Sequence, residues 1–570
     1  MNPPINPANT PRQVSTVGRR LASRIAQAGA RAFFTVPGDF NLVLLDQLLT
    51  QPELRMIGCS NELNAGYAAD GYARATGGLS VVVVTYMVGG LSVINAAAGA
   101  YSDDLPMLVV SGGPNTLDAL ANHRVHHTIG EAELYQCAKC FEPMVAETLI
   151  VRHVDDAAAM IDRAVMMCLA RRKPVYLEIA CNLAGVPLPE AMPISLPPCR
   201  SPADPMSLDA AVAALAAKID AAARPVLVAG VKLRSQDAIA AFRKLADALG
   251  CAVAVMPDAK GMFPEQHPAF IGTYWGEVSS PGCAAVVESS DCQLFAGPMF
   301  NDYTTTGWTT LATASQLVHA GPDFLRMQGA EFIGLRLDAL LDRLAAKVTK
   351  KSASLTGFRP LHTPAFMEIA AAAGEPLSLK ELCRQIQALL AANMDLVVET
   401  GDAWFNGQKL RLPTGAGYHV QMQYGSIGWA TGATLGVSLG AGAGRRTVAL
   451  IGDGSFQLTA QEISTMIRYQ ANPIIFLFNN RGYTIEVEIH DGPYNNIKNW
   501  DYAGLIEVFN AGEGNGLGLL ATTAAELTAA IEQAKSHPGL VLIECALDRD
   551  DCSAELLKWG RRVAAANARR

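Results

Sequence analysis

Two apolar runs in the last third of the chain, Thr447–Ile451 and Ile474–Phe478, constrain the fold more than any other feature. The first is followed by GDG at 452–454 and the second by the asparagine pair at 479–480, while Gln457–Tyr469 between them has helical spacing. Short, continuous apolar runs are typical of strands buried in a parallel sheet. Because ligands of open α/β sheets bind beyond the carboxyl ends of the strands, we expect the two polar ends to meet at one site.

The same alternation of apolar run, glycine-containing turn and helical stretch recurs along all 570 residues, which predicts an α/β fold. We expect further helices at Asn61–Arg74 and Ser378–Ala392. The other predicted strands are Ala32–Val36, Arg55–Cys59, Ser80–Thr85, Met107–Ser111, Val175–Glu178, Pro225–Ala229, Cys251–Met256, Cys292–Ala296, Gln316–His319, Leu396–Glu399 and Gly539–Cys545.

These elements fall into three blocks, which predicts three doubly wound parallel-sheet domains. We expect the domains to span residues 1–190, 205–348 and 376–570. A proline-rich segment that begins at Val186 is interpreted as the first linker. Residues 349–375 have weak periodicity and are interpreted as the second linker.

The composition argues against nucleic acid, membrane and export. The net charge is −8 and no lysine and arginine cluster is large enough to follow a phosphate backbone. Leu79–Ala100 is apolar, but the β-branched run Val81–Val84 and the glycine pair at 89–90 favour a buried strand, a glycine turn and a helix over a membrane span. Since the polar N-terminus resembles no export signal, we expect a cytoplasmic protein.

The 12 cysteines are scattered, so we expect reduced thiols. Cys137 and Cys140 form a single CxxC pair. A structural zinc site usually needs a second pair at suitable spacing, and none follows. The pair is therefore interpreted as two small buried residues on a helix.

The segment from Gly452 to Asn480 has the residue types of a magnesium and diphosphate site. Asp453 offers a carboxylate and Asn480 an amide oxygen, and Mg²⁺ prefers oxygen ligands shared with phosphate. The glycines allow the backbone to approach a diphosphate. The alternative is that Asp453 only caps a helix. A dinucleotide site is disfavoured because the glycine-rich stretch at 440–444 precedes a strand, and no GxxxxGK[ST] motif occurs.

The GDGS sequence followed by the NN pair resembles the cofactor motif of thiamine-diphosphate enzymes. The resemblance implies that Asp453, Asn480 and the backbone carbonyl of Gly482 bind Mg²⁺. It implies that Glu62, at the start of a helix after a predicted strand, hydrogen-bonds the aminopyrimidine of the cofactor. Further cofactor contacts implied by the resemblance are Thr85, Asp402, Gly425, Ile427 as an apolar wedge, Gly454, Ser455 and Tyr483.

Three strings, PGDFN at 37–41, HHTIG at 126–130 and GYTIE at 482–486, resemble the pyruvate decarboxylase family, with bacterial members as the nearest match. The resemblance implies that four catalytic residues surround the reacting carbon, where histidines and carboxylates relay protons near neutral pH. These are Asp39, His126, His127 and Glu486. A metal role for the histidine pair is disfavoured because adjacent side chains diverge.

The same resemblance implies decarboxylation of pyruvate to acetaldehyde and carbon dioxide, in a homo-oligomer. A tetramer is expected, with each active site between the first domain of one chain and the third domain of another. Residues implied to line the pocket are Tyr303, Trp404, Ile485, Ile489 and Trp559. Their bulk favours pyruvate over phenylpyruvate or indolepyruvate. The alternatives are an aromatic 2-oxo-acid decarboxylase, a carboligating enzyme such as acetohydroxyacid synthase, or a cofactor-binding protein without catalysis.

Overall fold

The computed structural model describes residues 14–189, 194, 202–309, 312–356, 358 and 370–568. These residues form two compact units, one within Met1–Arg200 and the other within Ser201–Arg570. The first unit contains one large sheet and the second contains two, so the three predicted α/β sheets are confirmed. In the described ranges, every helix is too short or too polar to cross a bilayer.

The first unit is built on a six-stranded parallel sheet in the order β3-β2-β4-β5-β7-β6. Its strands are β2 (Ala32–Thr35), β3 (Arg55–Gly58), β4 (Ser80–Val84), β5 (Met107–Gly113), β6 (Thr148–Val151) and β7 (Val175–Ala180). Its helices are α1 (Val17–Gln27), α2 (Leu42–Leu49), α3 (Glu62–Thr76), α4 (Met87–Ser102), α5 (Thr116–Ala121), α6 (Gln136–Phe141) and α7 (Val154–Arg171), with a 3-10 turn at Glu142–Met144. Because the chain passes from β2 to β3 on one side and then to β4 on the other, ligands are expected beyond the carboxyl ends of β2 and β4.

Two expectations about this unit were wrong. Gly89 and Gly90 lie inside α4 and not in a turn before it, because the chain turns already at residues 85–86. The first linker does not begin at Val186, since β8 (Pro187–Pro189) pairs antiparallel with β1 (Val14–Thr16). Residues 190–193 and 195–201 lie outside the described residues.

The central sheet of the second unit has the order β11-β10-β9-β12-β13-β14-β15. Its strands are β9 (Pro225–Ala229), β10 (Ala252–Val255), β11 (Phe270–Thr273), β12 (Cys292–Ala296), β13 (Leu317–Ala320), β14 (Phe324–Met327) and β15 (Ala330–Ile333). Its helices are α8 (Pro205–Ala221), α9 (Lys232–Ser235), α10 (Ile239–Leu249), α11 (Cys283–Glu288) and α12 (Leu337–Ala345), with 3-10 turns at Pro257–Ala259 and Ala353–Leu355. Five strands are parallel, and β14 and β15 add an antiparallel hairpin that the sequence pattern did not predict.

The third sheet is parallel throughout, in the order β17-β16-β18-β19-β21-β20. Its strands are β16 (Met394–Val398), β17 (Gly417–Val420), β18 (Arg446–Gly452), β19 (Ile474–Asn479), β20 (Leu517–Ala521) and β21 (Val541–Ala546). Its helices are α13 (Leu379–Leu389), α14 (Asp402–Lys409), α15 (Trp429–Gly440), α16 (Asp453–Thr459), α17 (Glu462–Arg468), α18 (Thr484–Ile489), α19 (Tyr502–Asn510), α20 (Ala524–Ser536) and α21 (Ala554–Asn567), with a 3-10 turn at Pro493–Asn495.

The chain passes from β16 to β17 on one side of the third sheet and to β18 on the other. The point where the strand order reverses therefore lies between β16 and β18, next to β19.

The single helix predicted over Gln457–Tyr469 was wrong: helical structure begins at Asp453 and is divided between α16 and α17. Twelve of the 27 residues of the predicted linker 349–375, namely 357 and 359–369, lie outside the described residues.

Candidate active site

Asp453 follows directly from the last residue of β18 and is 1% exposed. Its Oδ1 accepts a hydrogen bond from the Gly454 N–H at 2.7 Å, and its Oδ2 accepts one from the Arg481 N–H at 2.6 Å. Burial raises the pKa of Asp453 to about 6, although these backbone donors act in the opposite direction. A carboxylate that is this buried fits a divalent cation, whose charge would compensate for its burial.

The asparagine pair at the end of β19 is divided between two tasks. The Asn479 amide donates to Oε1 of Glu544 on β21 at 2.7 Å, which ties the two strand ends together. The Asn480 amide nitrogen donates to Oγ1 of Thr484 at 2.6 Å, so its oxygen is the atom available to a cation. The first asparagine is therefore structural, and the second fits the predicted metal site.

The loop after Asn480 is packed against the segment around Asn495. Tyr483 N–H donates to the Asn495 carbonyl at 3.0 Å, and a Cβ atom on Gly482 would lie 2.6 Å from that carbonyl oxygen. A Cβ atom on Gly454 would lie only 2.4 Å from the Tyr483 ring. Glycine therefore avoids a close contact at both positions, and the backbone beside the buried Ser455 stays open to a diphosphate.

The loop that carries Gly425 and Ile427 connects β17 to α15 and is fixed by two buried side chains. Oε2 of Glu399 accepts a hydrogen bond from the Ala430 N–H at 2.9 Å, and Oε1 of Gln421 accepts one from the Ser426 N–H at 3.1 Å. The buried Gln421 Nε2 has no partner among the described residues. This unpartnered donor beside the loop fits a polar ligand that the protein itself does not provide.

Glu62 begins α3, and the side chain of Asn61 caps that helix. A Cβ atom on Gly89 would lie 2.9 Å from Oε1 of Glu62, so glycine at this position gives the carboxyl group room. Thr85 follows β4, and its buried Oγ1 has no partner among the described residues. Glu62 and Thr85 thus follow β3 and β4 at the same edge of the first sheet.

Asp39, His126 and His127 form a cluster in the first unit. The His126 Nε2 lies 2.6 Å from Oδ2 of Asp39, and the His127 Nε2 lies 3.5 Å from Oδ1. Phe40 stacks on the His126 ring at 4.9 Å. The expectation that adjacent histidines diverge was wrong, because His127 adopts a left-handed backbone conformation with φ 58°, and both rings turn towards Asp39.

Three predicted pocket residues are in ring contact within the second unit. The Tyr303 ring lies 5.6 Å from Trp404 and 5.1 Å from Trp559, and both tryptophans are fully buried. Tyr303, Ile485 and Ile489 pack against the apolar cluster that contains the two tryptophans. Burial raises the pKa of Tyr303, and the charges of Asp302 and Glu486 raise it further. The predicted residues therefore form a compact aromatic wall.

Family comparisons cover all three sheets of the chain. Residues 15–135 match the thiamine pyrophosphate enzyme N-terminal TPP binding domain, 212–339 the central domain and 400–545 the C-terminal TPP binding domain. The chain is 48% identical to pyruvate decarboxylase 2 of Oryza sativa subsp. japonica, with 97% of this chain and 92% of that protein covered. It is 47% identical to pyruvate decarboxylase 1 of Arabidopsis thaliana, with 97% and 92% covered. The chain belongs to the pyruvate decarboxylase family.

A third relative, pyruvate decarboxylase 1 of Pisum sativum, is 47% identical, with 97% of this chain and 94% of that protein covered. Membership establishes that this is a thiamine pyrophosphate (thiamine diphosphate) enzyme and a carboxy-lyase, as the resemblance implied. The individual roles of the predicted residues remain predictions.

Asp402, a predicted cofactor contact in this member of the pyruvate decarboxylase family, also makes a structural contact. Both carboxylate oxygens of Asp402 accept hydrogen bonds from Ser553, one from its hydroxyl and one from its N–H. Ser553 is the N-cap of α21, which carries Trp559. Asp402 therefore anchors the helix that supplies part of the aromatic wall, and burial raises its pKa.

The sequence did not predict the ion pair of Arg152 and Glu178, which holds the ends of the segment that carries the histidine pair. Arg152 donates to the carbonyls of Pro114 and Leu134, at 3.0 and 3.3 Å, which bracket the segment that carries the pair. Oε1 of the fully buried Glu178 accepts a further bond from Arg152 at 2.7 Å. A charged residue inside the apolar strand β7 was the one available signal in the sequence.

The interpretation of the CxxC pair as two buried residues on a helix was right for Cys137 and wrong for Cys140. Cys137 is buried in α6, but Cys140 on the same helix is exposed. All eleven cysteines in the described ranges are free thiols.

Proposed function

We propose that the protein catalyses the non-oxidative decarboxylation of pyruvate to acetaldehyde and carbon dioxide, with thiamine diphosphate and Mg²⁺ as cofactors. The observation that carries this proposal is the cluster of Asp39, His126 and His127, in which two imidazoles share one carboxylate. Such a cluster accepts and donates protons near neutral pH, as protonation of a reaction product requires.

In this proposal Mg²⁺ is bound by Asp453, the Asn480 side-chain oxygen and the Gly482 carbonyl. The buried carboxylate and the free amide oxygen support the assignment. Gly454 and Ser455 contact the diphosphate. Thiamine diphosphate, when bound, supplies the electron sink for loss of carbon dioxide from a 2-oxo acid.

Glu62 is proposed to hydrogen-bond the cofactor's aminopyrimidine, as a group that holds or shares a proton. Its half-buried position at the start of α3 and the space left by Gly89 support this role. Ile427 is proposed as the apolar wedge beneath the cofactor, with Thr85, Gly425 and Tyr483 as further contacts. Asp402 is proposed to act indirectly, by positioning α21.

Asp39, His126 and His127 are proposed to protonate the product carbon after carbon dioxide has left. The 2.6 Å contact orients His126 Nε2. Glu486 is exposed at the start of α18, next to the aromatic wall. It is proposed to assist decarboxylation and aldehyde release.

The aromatic wall is proposed to set substrate size. Trp404 and Trp559 are fully buried and pack with Tyr303, Ile485 and Ile489. We expect the bulk of these side chains to accept a methyl group more easily than an aromatic ring. This favours pyruvate over phenylpyruvate.

We further propose a cytoplasmic homo-oligomer in which a dimer is the smallest active unit and a tetramer the complete assembly. In this assembly, the proposed catalytic side chains of the first unit of one chain complete the cofactor site in the second unit of another chain. The free thiols of the described cysteines support a reducing compartment.

The proposed function is tested by measuring kcat/KM for pyruvate and phenylpyruvate with Mg²⁺ and thiamine diphosphate present. We expect a clear preference for pyruvate, with acetaldehyde detected through coupled alcohol dehydrogenase. Trp404→Ala removes an indole ring from the aromatic wall, so it should raise the activity on phenylpyruvate relative to that on pyruvate. If the wild type preferred phenylpyruvate, the proposed substrate would be an aromatic 2-oxo acid and not pyruvate. Formation of an acetohydroxy acid would indicate a carboligase.

A further inference from the structure

The donor atoms of Asp39, His126 and His127 all lie within 4.8 Å of one another. Two are imidazole nitrogens, at 2.6 and 3.5 Å from the two oxygens of one carboxylate. In a tetrahedral Zn²⁺ site, ligands about 2.0–2.2 Å from the metal lie roughly 3.3 Å from one another. Small side-chain rotations would therefore bring all three donors onto one ion.

The cluster is arranged before any metal binds. Phe40 stacks on His126 at 4.9 Å with an interplanar angle of 15° and meets the His127 ring edge at 6.0 Å. The left-handed backbone of His127 directs its ring to the same side as that of His126. A ligand set that is already oriented loses less conformational entropy on binding than one on a flexible loop.

The cluster is also accessible in the single chain. There the side chains of His126 and Asp39 are 60% and 51% exposed, and that of His127 is 32% exposed. Three protein ligands leave a fourth position for water, as in many zinc sites with an open coordination position.

The chemistry of this cluster differs from that of the proposed magnesium site. Asp453, Asn480 and the Gly482 carbonyl offer only oxygen, which suits Mg²⁺. Two imidazoles and one carboxylate suit Zn²⁺ and related transition metals instead, and Mg²⁺ competes poorly for imidazole. The chain therefore carries two ligand sets that select different ions.

We propose that Asp39, His126 and His127 form a second metal site that binds Zn²⁺ or a similar divalent transition metal and reversibly inhibits the enzyme. The metal occupies the donor atoms of His126, His127 and Asp39, so these atoms can no longer transfer a proton. The binding part stands on the cluster geometry alone, and the inhibition part rests on the proposed function.

The test is a Co²⁺ titration of the holoenzyme with Mg²⁺ and thiamine diphosphate in excess. Co²⁺ with two imidazoles and one carboxylate in a four- or five-coordinate site gives an intense visible d–d absorption, unlike Co²⁺ in an octahedral oxygen site. We expect one such equivalent per chain, displaced by Zn²⁺, with pyruvate turnover falling as the site fills and returning after chelation.

His127→Ala and Asp39→Asn should abolish this absorption band. His123→Ala is the matched control, because His123 is also exposed and lies 2.9 Å from a carboxylate, that of Asp118, and this variant should retain both the band and its inhibition. Absence of the band in the wild type, or its persistence in His127→Ala, would overturn the metal site. A band without loss of turnover would overturn inhibition alone, and a band in a protein that releases no acetaldehyde would contradict the proposed function but not the site.

Discussion

The backbone N–H of Arg481 donates a 2.6 Å hydrogen bond to Oδ2 of Asp453, from a residue whose φ is 68°. The left-handed conformation turns this N–H towards the end of β18, although Arg481 itself follows β19. The orientation of the proposed metal ligand therefore depends on the backbone of a neighbouring loop. The Arg481 side chain is exposed and has no part in this contact.

Arg481→Val should weaken Mg²⁺-dependent binding of thiamine diphosphate, whereas Arg481→Gly should preserve it. Both variants lose the charge, but a β-branched residue is strained at positive φ by about 1–2 kcal/mol and glycine is not. Cofactor titration at fixed Mg²⁺ measures the difference, which we expect to be on the order of tenfold in Kd. Equal affinities of the two variants would show that the backbone contact does not matter.

Gly454→Ala should reduce cofactor affinity strongly, because its Cβ atom would lie 2.4 Å from the Tyr483 ring. The matched control is Gly452→Ala, two residues earlier, where a Cβ atom meets nothing within 4 Å and φ is −74°. Calorimetric titration with thiamine diphosphate and Mg²⁺ measures both. Similar affinities for the two variants would contradict the close approach of backbone and cofactor.

Replacing the buried ion pair by Arg152→Met with Glu178→Gln should lower kcat on the order of 100-fold, because misplacement of catalytic groups by about 1 Å costs this much. Changing both partners avoids leaving a buried charge unpaired. Cofactor affinity should stay unchanged, since the two carbonyls that Arg152 holds bracket the segment with His126 and His127. Arg163→Met is the control, as it removes an exposed arginine that pairs with Glu147. Wild-type kcat in the double variant would rule out the positioning role.

Glu399 should make the cofactor-free protein less stable as the pH rises. Burial raises its pKa from 4.5 to about 7, so the folded state retains a proton that the unfolded state has lost. Stability from this group is therefore greatest below about pH 4.5 and falls by up to about 3 kcal/mol as the pH rises through 7.

The measurement is the difference in Tm between wild type and Glu399→Gln, taken at about pH 5 and about pH 8. Other buried acids, such as Asp453, are shared by both proteins and cancel in the difference. We expect the Tm of the wild type to fall relative to that of the variant between the lower and the higher pH. A difference that does not change with pH would mean that Glu399 titrates normally.

The sequence was sufficient to predict the residues that lie at the ends of buried strands. Asp453 and Asn480 follow buried runs that the apolar pattern identifies, and parallel topology brings neighbouring strand ends together. The hairpin of β14 and β15 was missed because neither strand is a continuous buried apolar run, and the two strands carry the exposed charged pair Arg326 and Glu331.

Other features depend on backbone conformation or tertiary contacts, which spacing does not reveal. The convergence of His126 and His127 requires positive φ at a non-glycine residue. Gly89 looks like a helix breaker in the sequence, yet it lies within α4 and gives Glu62 its space. Asp402 has the residue type of a ligand, but Ser553, distant in sequence, occupies both of its oxygens.

The most direct test of the account is acetaldehyde release from pyruvate by the wild type and by Glu62→Gln, each with saturating Mg²⁺ and thiamine diphosphate. We predict that the wild type forms acetaldehyde and carbon dioxide in equal amounts, while Glu62→Gln binds the cofactor but loses most of its turnover. No acetaldehyde from the wild type would contradict pyruvate decarboxylation, and near-normal turnover in Glu62→Gln would contradict the site.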